Sequence, residues 1–134
     1  MIKKILFILI TLQAFAFADF QSIDAKEMLS LHEKGAAIVD IRTPGEWRET
    51  GVIPGTTKIM FFNERGNYDV EKFMGELKKV VKDQNQPIVL VCRTASRTKM
   101  VGRFLANDMG YTNTKELAGG IMFGWLNEGK KTVK

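Results

Sequence analysis

The chain has 134 residues, of which 45% are hydrophobic and 26% charged, and its formal net charge is +5 at pH 7. A chain of this length and composition can bury one core without disulfides or metal, and its single cysteine excludes an internal disulfide. The small, scattered positive charge gives no nucleic-acid-binding patch, but it is compatible with small anionic substrates.

The first 18 residues have the pattern of a secretory signal peptide. Lys3 and Lys4 precede an apolar segment over residues 5–17, which ends in Ala16-Phe17-Ala18. This segment is shorter than the roughly 20 residues that span a bilayer, and its small-x-small end fits a cleavage site. We therefore predict a signal peptide over 1–18, a mature domain over 19–134 with no stable membrane anchor, and export to the periplasm. An uncleaved anchor is the alternative.

Helical and strand patterns alternate along the mature chain. Asp24 and Glu27 have capping-box spacing, and Gly35 provides a stop, so the first helix is predicted between them. Apolar runs predict strands over 36–41, 58–62 and 88–91, and a last short strand is predicted over 111–117. Helical periodicity predicts helices over 70–81, 96–109 and 121–126. Unalternating strands separated by helices predict an α/β domain with a central, largely parallel sheet covered by helices on both faces.

The only cysteine, Cys92, lies where the apolar strand over 88–91 turns into a helix. Backbone N–H groups and the helix dipole favour an anion such as a thiolate at this kind of junction. Arg93 and Arg97 bracket the loop and favour the thiolate further, and their guanidinium groups suit sulfur or phosphorus oxyanions. A buried, inert cysteine is the alternative. We predict Cys92 as the nucleophile and five following residues as the substrate-binding loop: Arg93, Thr94, Ala95, Ser96 and Arg97.

Polar residues also follow the predicted strand over 36–41, namely Asp40, Arg42 and Glu46. The carboxyl ends of parallel strands meet at one edge of a sheet, so we expect these residues on the same rim as Cys92. We predict that they support the loop, with Arg42 and Glu46 forming an ion pair. No metal is predicted, because the single histidine, His32, has no second metal-type residue nearby.

Several motifs together resemble the single-domain rhodaneses, a family of sulfurtransferases. They occur in the family's order: Val39-Asp40-Ile41-Arg42, Glu46-Trp47, Gly51-Val52-Ile53-Pro54-Gly55, the loop from Cys92 to Arg97, and Leu117-Ala118-Gly119-Gly120 with Trp125. The resemblance implies a three-layer rhodanese-like domain over 19–134. It also implies a thiosulfate sulfurtransferase-like activity with a persulfide on Cys92 and no other cofactor. The implied partners are a small anionic sulfur donor, a thiol or cyanide-like acceptor and an exported redox protein, without nucleic acid.

Two departures from the family's motifs are notable. Ala95 stands where the family usually has glycine, and a positive φ there would cost about 1 kcal/mol. Val52 replaces a usual histidine, at a position we expect on the surface. One alternative function is a non-catalytic module that carries sulfur, senses oxidants or binds a partner. Another is a cysteine phosphatase, but such enzymes place five residues between cysteine and arginine, whereas four lie between Cys92 and Arg97.

Overall fold

The computed structural model describes residues 20–134, so the predicted signal peptide and its cleavage site lie outside the described residues. The strands are β1 (Gln21–Ile23), β2 (Ala37–Asp40), β3 (Thr57–Lys58), β4 (Ile88–Val91) and β5 (Thr114–Leu117). The helices are α1 (Ala25–Glu33), α2 (Pro44–Thr50), α3 (Val70–Val80), α4 (Ser96–Arg103) and α5 (Gly120–Gly124). A π-helical turn, Phe104–Asp108, continues α4, and a 3-10 turn, Leu126–Glu128, follows α5. Within residues 20–134, no helix is both long and apolar enough to cross a membrane.

The five strands form one sheet in the order β1-β5-β4-β2-β3, and every pair is parallel. The strand β4 is central, between β2 and β5, and all four of its residues are buried. A parallel strand covered on both faces needs an apolar run rather than alternation, which explains its Ile-Val-Leu-Val sequence. The carboxyl end of β4, where Cys92 follows, therefore lies in the middle of the sheet's edge.

Helices cover both faces of the sheet, as predicted. Buried residues of α3 and α4 pack on one face, and those of α1 and α5 pack on the other. Successive strand residues point to opposite faces, so Leu90 belongs to the first core and Val89 to the second. The fold is thus the predicted three-layer α/β domain.

The strands differ from the predictions at three places, one of which is β5, which begins at Thr114 rather than at Tyr111. The sequence pattern did not predict β1, because three residues are too few for a periodicity and the segment resembles a helix start. The predicted strand over 58–62 is only two residues long, although Phe61 N still donates to the Ile41 carbonyl at 3.1 Å. Helix α1 begins as predicted, because the side chain of Asp24 accepts from Glu27 N at 2.8 Å.

The expected surface position of Val52 is wrong. Val52 is 5% exposed, and its backbone exchanges two hydrogen bonds of 2.8 and 2.9 Å with Val133. The side chain of Thr132 also donates to the Thr50 carbonyl at 2.6 Å. The C-terminal segment covers this turn, which is why an apolar side chain is accommodated there.

Candidate active site

The side chain of Cys92 is fully buried at the junction between β4 and α4. It belongs to the core on the α3 and α4 face of the sheet. Its Sγ lies 3.5 Å from Oγ1 of Thr98, one turn into α4. The cysteine is thus enclosed by the domain, while the loop after it reaches solvent through Thr94 and Ser96.

Helix α5 holds the start of this loop through its backbone. The amides of Ile121 and Met122 donate to the carbonyls of Cys92 and Arg93 at 2.9 and 3.1 Å. Gly120 has φ 63°, and a Cβ there would meet the Arg93 carbonyl and lie 2.7 Å from the Cys92 carbonyl oxygen. Only glycine allows this close approach without strain. Gly120 therefore lets α5 approach the backbone of the cysteine loop closely.

Ala95 adopts a left-handed conformation, with φ 68° and ψ 18°. Within residues 20–134 it is the only non-glycine residue with positive φ. The Nζ of Lys99 donates to its carbonyl at 2.9 Å, which ties the residue to α4. The alanine that replaces the family's usual glycine therefore does need a positive φ, and it carries the strain expected from the sequence.

Arg97 forms a two-pronged ion pair with Glu46 of α2. Its two terminal nitrogens donate to the two carboxylate oxygens at 2.7 and 2.8 Å. Burial raises the pKa of Glu46, but the hydrogen bond and positive charge of Arg97 outweigh it, so the net pKa is lowered. The same hydrogen bond raises the pKa of Arg97, with a smaller contribution from Cys92. The pair fixes the end of the cysteine loop to α2.

The expected ion pair between Arg42 and Glu46 is wrong. Arg42 is fully buried and turns back to Asp40, with Nη2 2.8 Å from Oδ2 and Nε 3.0 Å from Oδ1. It also donates to the Gly51 carbonyl at 3.0 Å. Three acceptors, the carboxylate of Asp40, the hydroxyl of Thr50 and the Gly51 carbonyl, satisfy this guanidinium, which leaves Glu46 to Arg97. Asp40 and Arg42 thus support the chain behind the loop, whereas Glu46 contacts the loop directly.

Arg93 is the more accessible of the two loop arginines. Its side chain is 39% exposed, and it forms a loose 3.5 Å contact with the still more exposed Glu49. An exposed pair of this kind is weak and exchanges readily with other ions. Of the two arginines predicted to bind an anion, Arg93 is therefore free to do so, whereas both prongs of Arg97 are engaged.

The sequence analysis missed a buried polar network beside Cys92. The hydroxyl of Thr98 donates to Oε2 of Glu116 on β5 at 2.5 Å. Oε1 of Glu116 accepts from Lys99 Nζ and Ser22 Oγ, both at 2.6 Å. Glu116 and Thr98 are fully buried. The strand is polar in sequence, Thr-Lys-Glu-Leu, so no local pattern distinguished Glu116 as a buried carboxylate that needs partners.

Residues 24–128 match the model of the rhodanese-like domain. The chain belongs to the rhodanese-like family. Within it, the chain is 28% identical over 116 residues to the adenylyltransferase and sulfurtransferase UBA4 of Saccharomyces cerevisiae. This match covers 84% of the chain but only about a quarter, 26%, of the yeast protein. The uncharacterized protein RC0915 of Rickettsia conorii is also 28% identical, over 75% of this chain and 80% of its own length.

The rhodanese-like fold is shared with the polysulfide-sulfur transferase homodimer of Wolinella succinogenes. The TM-score is 0.62 at 24% sequence identity, and the match covers 87% of this chain and 80% of that protein. At this identity the likeness shows the fold alone. The family match supports a role in sulfur transfer in general, without identifying donor or acceptor.

Proposed function

We propose that the domain transfers a sulfane sulfur from a donor such as thiosulfate to a thiophilic acceptor through a persulfide on Cys92. The observation that carries this proposal is the position of the single cysteine. Cys92 follows the central strand of a rhodanese-like domain and opens a six-residue loop that ends at Arg97. The carboxyl ends of parallel strands are where such folds place their chemistry.

In the first step, the Cys92 sulfur attacks the outer sulfur of thiosulfate. The donor's S–S bond breaks, sulfite leaves with the bonding electron pair, and Cys92 carries a persulfide. In the second step, a nucleophile such as cyanide attacks the terminal sulfur and leaves as thiocyanate, which regenerates Cys92. The electrons balance within these two displacements, so the reaction needs no metal, redox cofactor or prosthetic group.

The loop arginines take different parts in this proposal. Arg93 is exposed and loosely paired, so it receives the anionic donor at the mouth of the site. Arg97 is held by Glu46 and fixes the loop, while its charge still favours an anion on Cys92. The exposed side chains of Thr94 and Ser96 offer hydroxyls to the donor's oxygens. Ala95 supplies the left-handed turn between them.

The test is the formation of thiocyanate from thiosulfate and cyanide. We expect saturable turnover that Cys92→Ala abolishes, with the circular dichroism spectrum of the variant unchanged. A matched control is Ser30→Ala, which removes an exposed hydroxyl of α1, outside the cysteine loop, and should keep turnover. Absence of thiocyanate from folded wild-type protein would contradict catalysis. If a persulfide were nevertheless loaded, the domain would be a sulfur carrier.

We also propose that residues 1–18 are removed on export and that the domain acts in the periplasm with an exported redox protein. The support is the charged start, the short apolar segment and the small-x-small motif. N-terminal sequencing of protein from cell fractions tests this proposal. We expect a periplasmic chain that begins at Asp19, and an intact N-terminus in the cytoplasm would refute it.

A further inference from the structure

The hydroxyl of Thr98 connects Cys92 to a buried carboxylate. Thr98 Oγ1 lies 3.5 Å from Cys92 Sγ and 2.5 Å from Glu116 Oε2. All three side chains are fully buried. A buried carboxylate next to a cysteine of a sulfurtransferase fold requires an explanation, since an anion there opposes a thiolate.

The direction of the hydrogen bonds follows from what each group can donate. An ionised carboxylate only accepts, so the single hydroxyl proton of Thr98 points to Glu116. The Thr98 oxygen then faces Cys92 with a lone pair and accepts from the thiol S–H. In the resting state the hydrogen bonds run from the thiol through the hydroxyl to the carboxylate. This is the direction in which a thiol proton would leave.

We propose that Glu116 receives the thiol proton of Cys92 through Thr98 when the cysteine becomes a nucleophile. The inference deepens the proposed persulfide chemistry and rests on it. The thiol proton moves to Thr98 Oγ1 while the Thr98 proton moves to Glu116 Oε2. The electron pair left on Sγ forms the bond to the donor's outer sulfur, and the donor's leaving group departs with the pair of the broken S–S bond.

The same three groups stay hydrogen-bonded after the transfer. Protonated Glu116 donates to Thr98 Oγ1, and the Thr98 hydroxyl now donates to the sulfur, which has become an acceptor. No buried polar group loses its partner in either state, so neither state bears the penalty of about 1–3 kcal/mol for an unsatisfied buried group. Ser22 and Lys99 hold the other carboxylate oxygen in place throughout.

The remaining charges around the relay are paired. Lys99 contacts Glu116 directly and balances its ionised form at 2.6 Å. On the Cys92 side, Arg97 is paired with Glu46, Arg42 with Asp40, and Arg93 loosely with Glu49. Substitution of Thr98 leaves all four pairs in place, whereas Glu116→Gln also removes the partner of Lys99. A changed pH profile in Thr98→Val would therefore report the relay itself.

The pH dependence of Cys92 alkylation by iodoacetamide tests the relay. If Cys92 and Glu116 share one proton in the wild type, the fraction of chains with a Cys92 thiolate stays constant across neutral pH. The alkylation rate then has a plateau. In Glu116→Gln the thiol must ionise to solvent, and the rate falls about tenfold per pH unit below the midpoint. As the pH falls across the neutral range, we expect the alkylation rate of Glu116→Gln to fall much more steeply than that of the wild type.

Three further variants separate the relay from a merely structural role. Thr98→Val should lose the plateau as Glu116→Gln does. The pH profile of the variant with both substitutions should be no steeper than that of either single variant. Thr98→Ser keeps the hydroxyl and should restore the plateau. The matched control is Ser22→Ala, which removes a different hydrogen bond to the same carboxylate and should keep the plateau.

A steep wild-type profile, or a plateau that survives in folded Glu116→Gln or Thr98→Val, would overturn the relay. If Glu116→Gln does not fold, Thr98→Val decides. Alkylation needs no sulfur donor, so the two proposals fail separately. A plateau without thiocyanate turnover refutes the proposed function alone, whereas turnover with a steep wild-type profile refutes the relay alone.

Discussion

Replacing Ala95 by glycine should relieve a strain built into the cysteine loop. Ala95 has φ 68°, where a Cβ crowds the backbone at a cost of about 1–2 kcal/mol. Glycine removes that strain, but it also raises the conformational entropy of the unfolded chain, which lowers the free energy of unfolding by about 0.4–1 kcal/mol. The lost burial of one methyl adds about 0.8 kcal/mol. We therefore expect Ala95→Gly to have nearly the stability of the wild type.

Ala36→Gly is the matched control, because it has the same two losses and no relief of strain. Ala36 is 2% exposed and Ala95 4% exposed, and Ala36 does not have positive φ. We expect Ala36→Gly to be less stable than the wild type by about 1–2 kcal/mol. The two variants should differ by about 1–2 kcal/mol, which corresponds to about 4–8 °C in melting temperature.

Urea unfolding of the two variants, followed by circular dichroism, measures this difference. The comparison requires equal m-values, since a change in m would report a changed denatured state. If Ala95→Gly loses as much free energy of unfolding as Ala36→Gly, the left-handed alanine stores no strain and the reasoning is refuted.

Three further predictions concern the contacts that hold the loop. Gly120→Ala should destabilise the domain by about 2 kcal/mol or more in urea unfolding, since its Cβ meets the Arg93 carbonyl at positive φ; unchanged stability would contradict this contact. The lowered pKa of Glu46 implies stability that is complete above its ordinary value of 4.5 and is lost as the pH falls through the folded-state pKa. Glu46→Gln should therefore lose less free energy of unfolding than the wild type on acidification. Equal losses in the two proteins would contradict this prediction. Arg93→Ala should raise the KM for thiosulfate with little change in melting temperature, whereas Arg97→Ala should lower the melting temperature as well; the reverse pattern would overturn their assigned parts.

The strand-to-helix junction at Cys92 could be predicted because its signals are local. An apolar β-branched run, a single cysteine and a following helical periodicity all lie within a few residues of one another. The positive φ of Ala95 was anticipated only through the glycine that the resembling family usually has at this position. Local patterns thus predicted the element that bears the nucleophile, but not the strain within it.

The ion pairs around the loop could not be predicted from spacing. Arg42 and Glu46 are four residues apart and looked like partners, but Glu46 pairs with Arg97, 51 positions away. The orientation of a guanidinium depends on the acceptors that the fold brings near it, and the guanidinium of Arg42 is oriented toward Asp40. A local pattern does not contain that information.

The network at Glu116 shows the same limit more clearly. Its partner Ser22 is 94 positions away, on a strand of three residues that has no readable periodicity. Glu116 lies in the polar strand sequence Thr-Lys-Glu-Leu, where nothing local marks it as buried. The cluster forms only in the folded domain, which brings Thr98, Lys99 and Ser22 to the carboxylate oxygens.

Mass spectrometry of the protein purified from its native compartment tests whether Cys92 carries a persulfide. We expect a fraction of the chains to carry one additional sulfur atom, about 32 Da, on the peptide containing Cys92. Cyanide should remove this mass and release thiocyanate, and Cys92→Ala should never acquire it. A Cys92 that stays unmodified in the native compartment, and after incubation with thiosulfate, would contradict the account.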